Sequence, residues 1–168
     1  LKLCKTLYKY WLQTDLIELK EIFLDHIQFT SNRNHKNDHF IIVDGSILHR
    51  LMLEKLIKKL QPAGLHYAYD GVRAVNIFKK LADAGQERIV VLITEDLPIM
   101  SGAKAAEMIR MHERKILGRT ISYIIADIQE HNRNDEGMKV FNDFLSRPFE
   151  VSDLLGKLQR ASDQLIQY

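Results

Sequence analysis

Cysteine is almost missing from this 168-residue chain: Cys4 stands alone, so no internal disulfide can form and a disulfide-framed extracellular scaffold is excluded. Long apolar runs are missing as well. No stretch approaches the roughly 18 residues needed to cross a bilayer, and nothing resembles a cleavable signal, so the expectation is a cytoplasmic protein without direct membrane insertion. An excess of one charge is also lacking, since 24 Lys and Arg face 22 Asp and Glu for a net charge of +2. The two signs are interspersed, which offers no polyanion-binding face and excludes nucleic acid as an expected partner. The eight glycines include no phosphate-binding glycine motif, and no cofactor is implied. What is present, 46% hydrophobic and 27% charged residues, suits one soluble globular core with an appendage. Because the chain opens on Leu1, it is expected to be a piece of something longer.

From residue 39 onward, short β-branched runs alternate with longer amphipathic ones. The runs "FIIV" (40 to 43), "LHYAY" (65 to 69), "IVVLI" (89 to 93), "ISYII" (121 to 125) and "DFLS" (143 to 146) read as strands. Residues 47 to 60, 72 to 83, 103 to 116, about 130 to 140 and 151 to 165 carry helical spacing. Such alternation predicts right-handed βαβ units, hence an α/β fold with a five-stranded parallel sheet covered on both faces. "IVVLI", with no polar alternation, suits a central strand. Ligands of open α/β sheets bind beyond the carboxyl ends of the strands. Those ends carry Asp44, Thr94 with Glu95, Ala126 with Asp127, and Arg147 with Pro148, which are expected to converge on one pocket.

The motifs "IIVDGSILHRLMLEKLIKKL", "AYDGVRAV", "LPIMSGAKAAEMIR", "HERKILGRTISYIIA" and "FNDFLSRPFEVSDLLGKL" follow one another in order. Together, residues 39 to 165 resemble the receiver domain of two-component response regulators, above all receivers attached to hybrid histidine kinases. The first motif matches the family pattern "ILVVDDNxxNRxxLxxLLxxL". The resemblance implies a flavodoxin-like (βα)5 receiver over 39–168, preceded by a helical extension and polar linker over 1–38. It also implies aspartyl phosphorylation, which needs a carboxylate nucleophile, a divalent cation on further carboxylates, and fixed donors for the phosphoryl oxygens.

Taken position by position, the family's chemistry is degraded here. The acidic pair after the first strand is Asp44-Gly45, with one carboxylate gone. The acceptor aspartate is replaced by Thr94, or by Glu95 if the loop is one residue shorter. Asp96 falls where receivers use mainly a backbone carbonyl to hold the metal. The hydroxyl residue expected at the end of the fourth strand reads as Ala126. The lysine of "KPF" is Arg147 in "RPF", a planar fork in place of a compact ammonium, and the switch aromatic is Phe144, without a hydroxyl. The resemblance therefore implies a degenerate phosphoacceptor pocket, no catalytic residue, no metal and no enzyme activity: a pseudo-receiver that acts as an interaction or regulatory module. The alternative is a working receiver phosphorylated unconventionally at Thr94, Glu95 or Asp96. Asp44, Glu95, Asp96 and Arg147 are candidates for an internal ion pair standing in for the phosphoryl state, or for solvated loop residues.

The seven histidines are scattered over different elements without ligand spacing such as HxxxH, which favours solvated or capping roles. Before the receiver, Leu3, Leu7 and Trp11, then Leu12, Leu16, Leu19, Phe23 and Ile27, suggest two helices at about 2 to 13 and 16 to 28. The expected partners are a histidine kinase or a neighbouring domain of the same hybrid kinase, with a homodimer as a further option. Trp11 and the apolar positions Val151, Leu154, Leu155 and Leu158 of the last helix are the expected contact residues.

Overall fold

The computed structural model describes residues 35–129 and 137–166, and its compact unit begins at His35. Five strands, β1 (His39–Val43), β2 (Gly64–Ala68), β3 (Ile89–Thr94), β4 (Ser122–Gln129) and β5 (Asp143–Arg147), form one sheet in the order β2-β1-β3-β4-β5. Every neighbouring pair is parallel. This is the flavodoxin-like order, with the chain reversing direction between β1 and β3, where such sheets bind ligands. The α-helices are α1 (Ile47–Lys58), α2 (Gly71–Asp83), α3 (Gly102–His112) and α4 (Val151–Ile166). A π-helical turn, Glu113–Leu117, continues α3. The helix expected near 130 to 140 is represented by a single 3-10 turn at Gly137–Val140; residues 130–136 lie outside the described residues, as do Trp11 and both expected N-terminal helices.

Three of these helices begin on a side chain that accepts a backbone N–H of the first turn: Ser46 for α1, Asp70 for α2 and Ser101 for α3. Their positions fix where each strand-end loop stops. β3 is buried along its whole length, as its unalternating sequence requires. Ile41, Val43, Val91 and Ile93 meet Ala74, Val75 and Phe78 of α2 and Ala105, Ala106 and Ile109 of α3 on one face. The opposite face of the sheet is covered by α1 and α4.

That covering corrects one expectation. Leu154, Leu155 and Leu158 are 0%, 3% and 0% exposed, so the stripe expected to meet a partner is spent on the domain's own core. The physical reason is the amphipathic period: an apolar stripe in a crossover helix faces the sheet it crosses. Val151, at the first turn, keeps partial exposure.

At the amino-terminal end of the sheet, His35 Nδ1 lies 2.9 Å from Asp38 Oδ2 and 2.8 Å from Ser162 Oγ of α4, while Arg88 Nε donates to Asp38 Oδ1 at 2.6 Å. Serine and aspartate both meet the same ring nitrogen, so this buried trio cannot relay a proton as a nucleophilic triad does. It ties α4 and the entry to β3 onto β1.

Candidate functional site

The carboxyl ends of β1, β3, β4 and β5 surround a cleft of about 300 Å³ lined by Asp44, Gly45, Thr94, Asp127 and Arg147, among others. The sequence-predicted convergence is therefore present. Its centre is Arg147, the last residue of β5, joined to Pro148 by a cis peptide. Its Nε and Nη2 donate to the two oxygens of Asp127 at 2.7 Å each, and Nη2 also donates to Asp44 Oδ2 at 2.8 Å. The planar fork of arginine makes the two-point contact with Asp127 possible. His49, in the first turn of α1, completes the cluster: its Nδ1 bonds Asp44 Oδ2 and lies 2.9 Å from Arg147 Nη2. Asp44 is held further by the Ser46 N–H at 2.7 Å.

These contacts set the ionisation of the group. Burial alone would raise the Asp44 carboxyl, but the hydrogen bonds from His49 and Ser46 and the charges of His49 and Arg147 hold it below the usual aspartate range. Burial prevails at Asp127 and lifts its carboxyl, with Arg147 opposing. The guanidinium of Arg147 stays cationic, its pKa pushed upward by Asp127 and Asp44 against the opposing effect of burial.

Thr94 and Asp127 face each other in register across β3 and β4. This corrects the reading of the fourth strand. β4 runs on to Gln129, so Ala126 lies within the strand, fully buried, paired with Ile93 and Phe144, and does not line the cleft. The residue that lines the cleft at this point of the strand is Asp127. A hydroxyl at the end of β3 therefore stands beside a carboxylate on β4.

Glu95 and Asp96 also line the cleft, and the Glu95 carboxylate caps a helix. Its Oε2 accepts the Ala103 N–H at 2.8 Å, placing a negative charge in the first turn of α3, where the helix dipole favours it. Arg147 pairs with Asp44, one of its expected partners, and takes Asp127 as the second carboxylate. Gly102 permits the close approach of α3 to this loop, because a Cβ there would lie 2.4 Å from Thr94 O. Gly45 is different: an added Cβ would meet only Pro98 Cδ at 3.7 Å, an ordinary contact, so no close approach of backbone requires glycine there. Phe144 packs edge-on against Phe141, ring centroids 5.8 Å apart.

His49 carried no expected role at the site, and Asp127 was named only as a strand-end residue beside Ala126. The signal for His49 was its place at the second asparagine of "DDNxxNR", directly over the first strand end. For Asp127 it was the length of the fourth strand, since one added residue moves the pocket position from Ala126 to its neighbour.

Ligand atoms of Asp44, His49 and Asp127 lie within 4.8 Å of one another. They do not fit a magnesium ion, which takes oxygen donors in a near-octahedral shell. One donor is an imidazole, the second acid of the pair is Gly45, and a guanidinium already bridges the two carboxylates.

Because Asp38, Asp44 and Asp143 all sit below the ordinary aspartate value of 3.8, acid should unfold this domain. A lowered folded-state pKa contributes stability that is complete above the unfolded value and is lost as pH falls through the folded one. Asp127, shifted the other way, partly offsets this. Denaturant midpoints should therefore hold near neutrality and drop steadily below about pH 4; a midpoint that rises on acidification would contradict the assignment.

No protein-family model matches the chain, and no curated protein matches it. Among solved structures, a chain of the complex between the Saccharomyces cerevisiae phosphotransfer protein Ypd1 and the receiver domain of the response regulator Ssk1 matches with a TM-score of 0.64 and 22% identity, covering 76% of this chain and 90% of that one. The receiver domain of a Pseudomonas aeruginosa sensor histidine kinase, with a magnesium ion in its active-site cleft, matches with a TM-score of 0.60 and 22% identity over 75% of this chain and 98% of that one. A CheY-like receiver from Methanospirillum hungatei gives 0.62 and 19% over 79% and 99%. The fold is that of a receiver.

Proposed function

We propose that this chain is a receiver-type module of two-component signalling that takes up no phosphoryl group and acts by protein contact. The observation that carries the reading is the Arg147 bridge. A positive charge supplied by the chain occupies the space between Asp44 and Asp127, and the hydroxyl of Thr94, 8% exposed, replaces the acceptor carboxylate. A working receiver shifts between two states because the phosphoryl group binds them differently; where nothing enters the pocket, no such bias exists. The partner surface is then constitutive. Its candidates are Ile47, Leu48 and Leu51 of α1, 63%, 63% and 47% exposed, which follow directly on Gly45-Ser46 at the cleft. The partner we propose is a histidine kinase, a phosphotransfer protein or a neighbouring domain of the same hybrid kinase.

The test is intact-mass analysis after incubation with Mg²⁺ and acetyl phosphate, and with a phosphorylated phosphotransfer protein. The mass should not change. Binding to the phosphotransfer protein should be indifferent to beryllofluoride and weakened by Leu48→Glu. A stable adduct at Thr94, Glu95, Asp96 or Asp127, or binding that requires beryllofluoride, would restore the alternative of a working acceptor.

A further inference from the structure

Two histidines that lie far apart in sequence meet at the other end of the sheet. His39 opens β1 and His66 lies in the middle of β2, on the diagonal of the parallel register that pairs His39 with Gly64 and Ile41 with His66. His39 Nδ1 and His66 Nε2 are 3.3 Å apart, and the rings stack with centroids separated by 5.6 Å. Both side chains are half-buried, and β2 is an edge strand, so solvent reaches the pair from one flank. At 3.3 Å the nitrogens are farther apart than the usual hydrogen bond of about 2.9 Å. Two nitrogens each bound to a tetrahedral zinc ion at about 2.0 to 2.1 Å stand about 3.3 to 3.4 Å apart.

We infer that His39 and His66 form a two-histidine site for a divalent transition-metal ion of the zinc type, with water in the remaining positions. Imidazole nitrogen suits zinc, nickel and copper and disfavours magnesium and calcium, so the site selects a different class of ion from the one receivers use. Turning either ring about its Cβ–Cγ bond re-aims its lone pair without moving the backbone. Metal binding needs neutral imidazoles. Gly64 makes room for the rings: a Cβ there would lie 2.5 Å from His39 Nδ1 and 2.9 Å from His66 Nε2. The adjacent carboxylate, Asp38, is committed to Arg88, His35 and Ser162 and is not a ligand.

The experiment is titration of Zn²⁺ into the metal-free full chain in competition with a chromophoric chelator. One ion should bind the wild-type pair. His39→Gln and His66→Gln should each weaken it by at least about tenfold, and Gly64→Ala should weaken it too, by displacing the rings without removing a ligand. His49→Gln, which alters the cluster at the opposite end, should leave this binding intact. Thermal melts in EDTA establish that the variants are folded. Undiminished affinity in both ring variants, a loss confined to His49→Gln, or no saturable binding at all would overturn the site.

Discussion

Replacing Arg147 with alanine should lower the stability of the domain by about 3 kcal/mol, near the lower end of what breaking a buried ion pair costs. The loss comes from what remains. Asp127 is 2% exposed and Asp44 6% by side chain, and without the guanidinium both carboxylates stay in the same low-dielectric space with only His49 between them. The lower end applies because Arg147 is itself one quarter exposed, so water can enter the space it vacates. Arg147→Lys should recover only part of the loss, since a single ammonium cannot make the two-point contact with Asp127 and reach Asp44 as well. The alanine variant should also gain a second site: with the internal cation gone, Asp44, His49 and Asp127 become a cluster open to divalent ions, and added Zn²⁺ should raise its melting temperature by more than it raises the parent's. Denaturant unfolding with and without metal reads both effects. A variant as stable as the parent would show that the bridge has no net weight.

A comparable effect is expected at Glu113, far from the cleft. Its carboxylate, 1% exposed, accepts the backbone N–H groups of Ile121 and Ser122 at 2.9 Å each, the Ser122 hydroxyl at 2.8 Å and Arg110 Nη1 at 2.7 Å. Arg110 in turn donates to Val140 O and to Asn142 Oδ1, which also receives the Ile124 N–H. One glutamate thus anchors the start of β4 and, through Arg110, the approach to β5. Glu113→Ala removes the acceptor of four donors and leaves a charge unpaired, for a cost of about 4 kcal/mol. Glu113→Gln keeps an acceptor oxygen and should cost roughly half as much. Equal stability of the alanine and glutamine variants would contradict the network.

The strands, their parallel order and the pocket at their carboxyl ends were legible because each rests on a local pattern: β-branched runs, 3.6-residue stripes, and polar residues at the switch from one to the other. Arg147 and Asp44 were legible as candidates for the same reason. The direction in which side chains turn was not. Leu155 and Leu158 read equally well as partner-facing or sheet-facing, since a stripe does not announce which apolar surface will cover it. Glu113, within the charged run "HERK", gives no sign of burial, because the π-helical turn that carries it changes the helical phase after His112. His39 and His66 meet only through strand register, which no local pattern encodes. Asp127 was legible only as a strand-end residue, since β4 runs beyond its β-branched run to Gln129 and the bond to Arg147 depends on that register.

A cation that belongs to the chain differs from one that arrives by diffusion in how its occupancy responds to the cell. A soluble ion fills a site in proportion to its free concentration. Arg147 is covalently tethered, so its effective concentration at Asp44 and Asp127 is fixed by the geometry of β5 and is unaffected by chelation, magnesium depletion or dilution. Being largely enclosed, the bridge is also weakly screened by salt. The strand ends therefore keep one electrostatic setting across ionic conditions that would empty an exchangeable metal site.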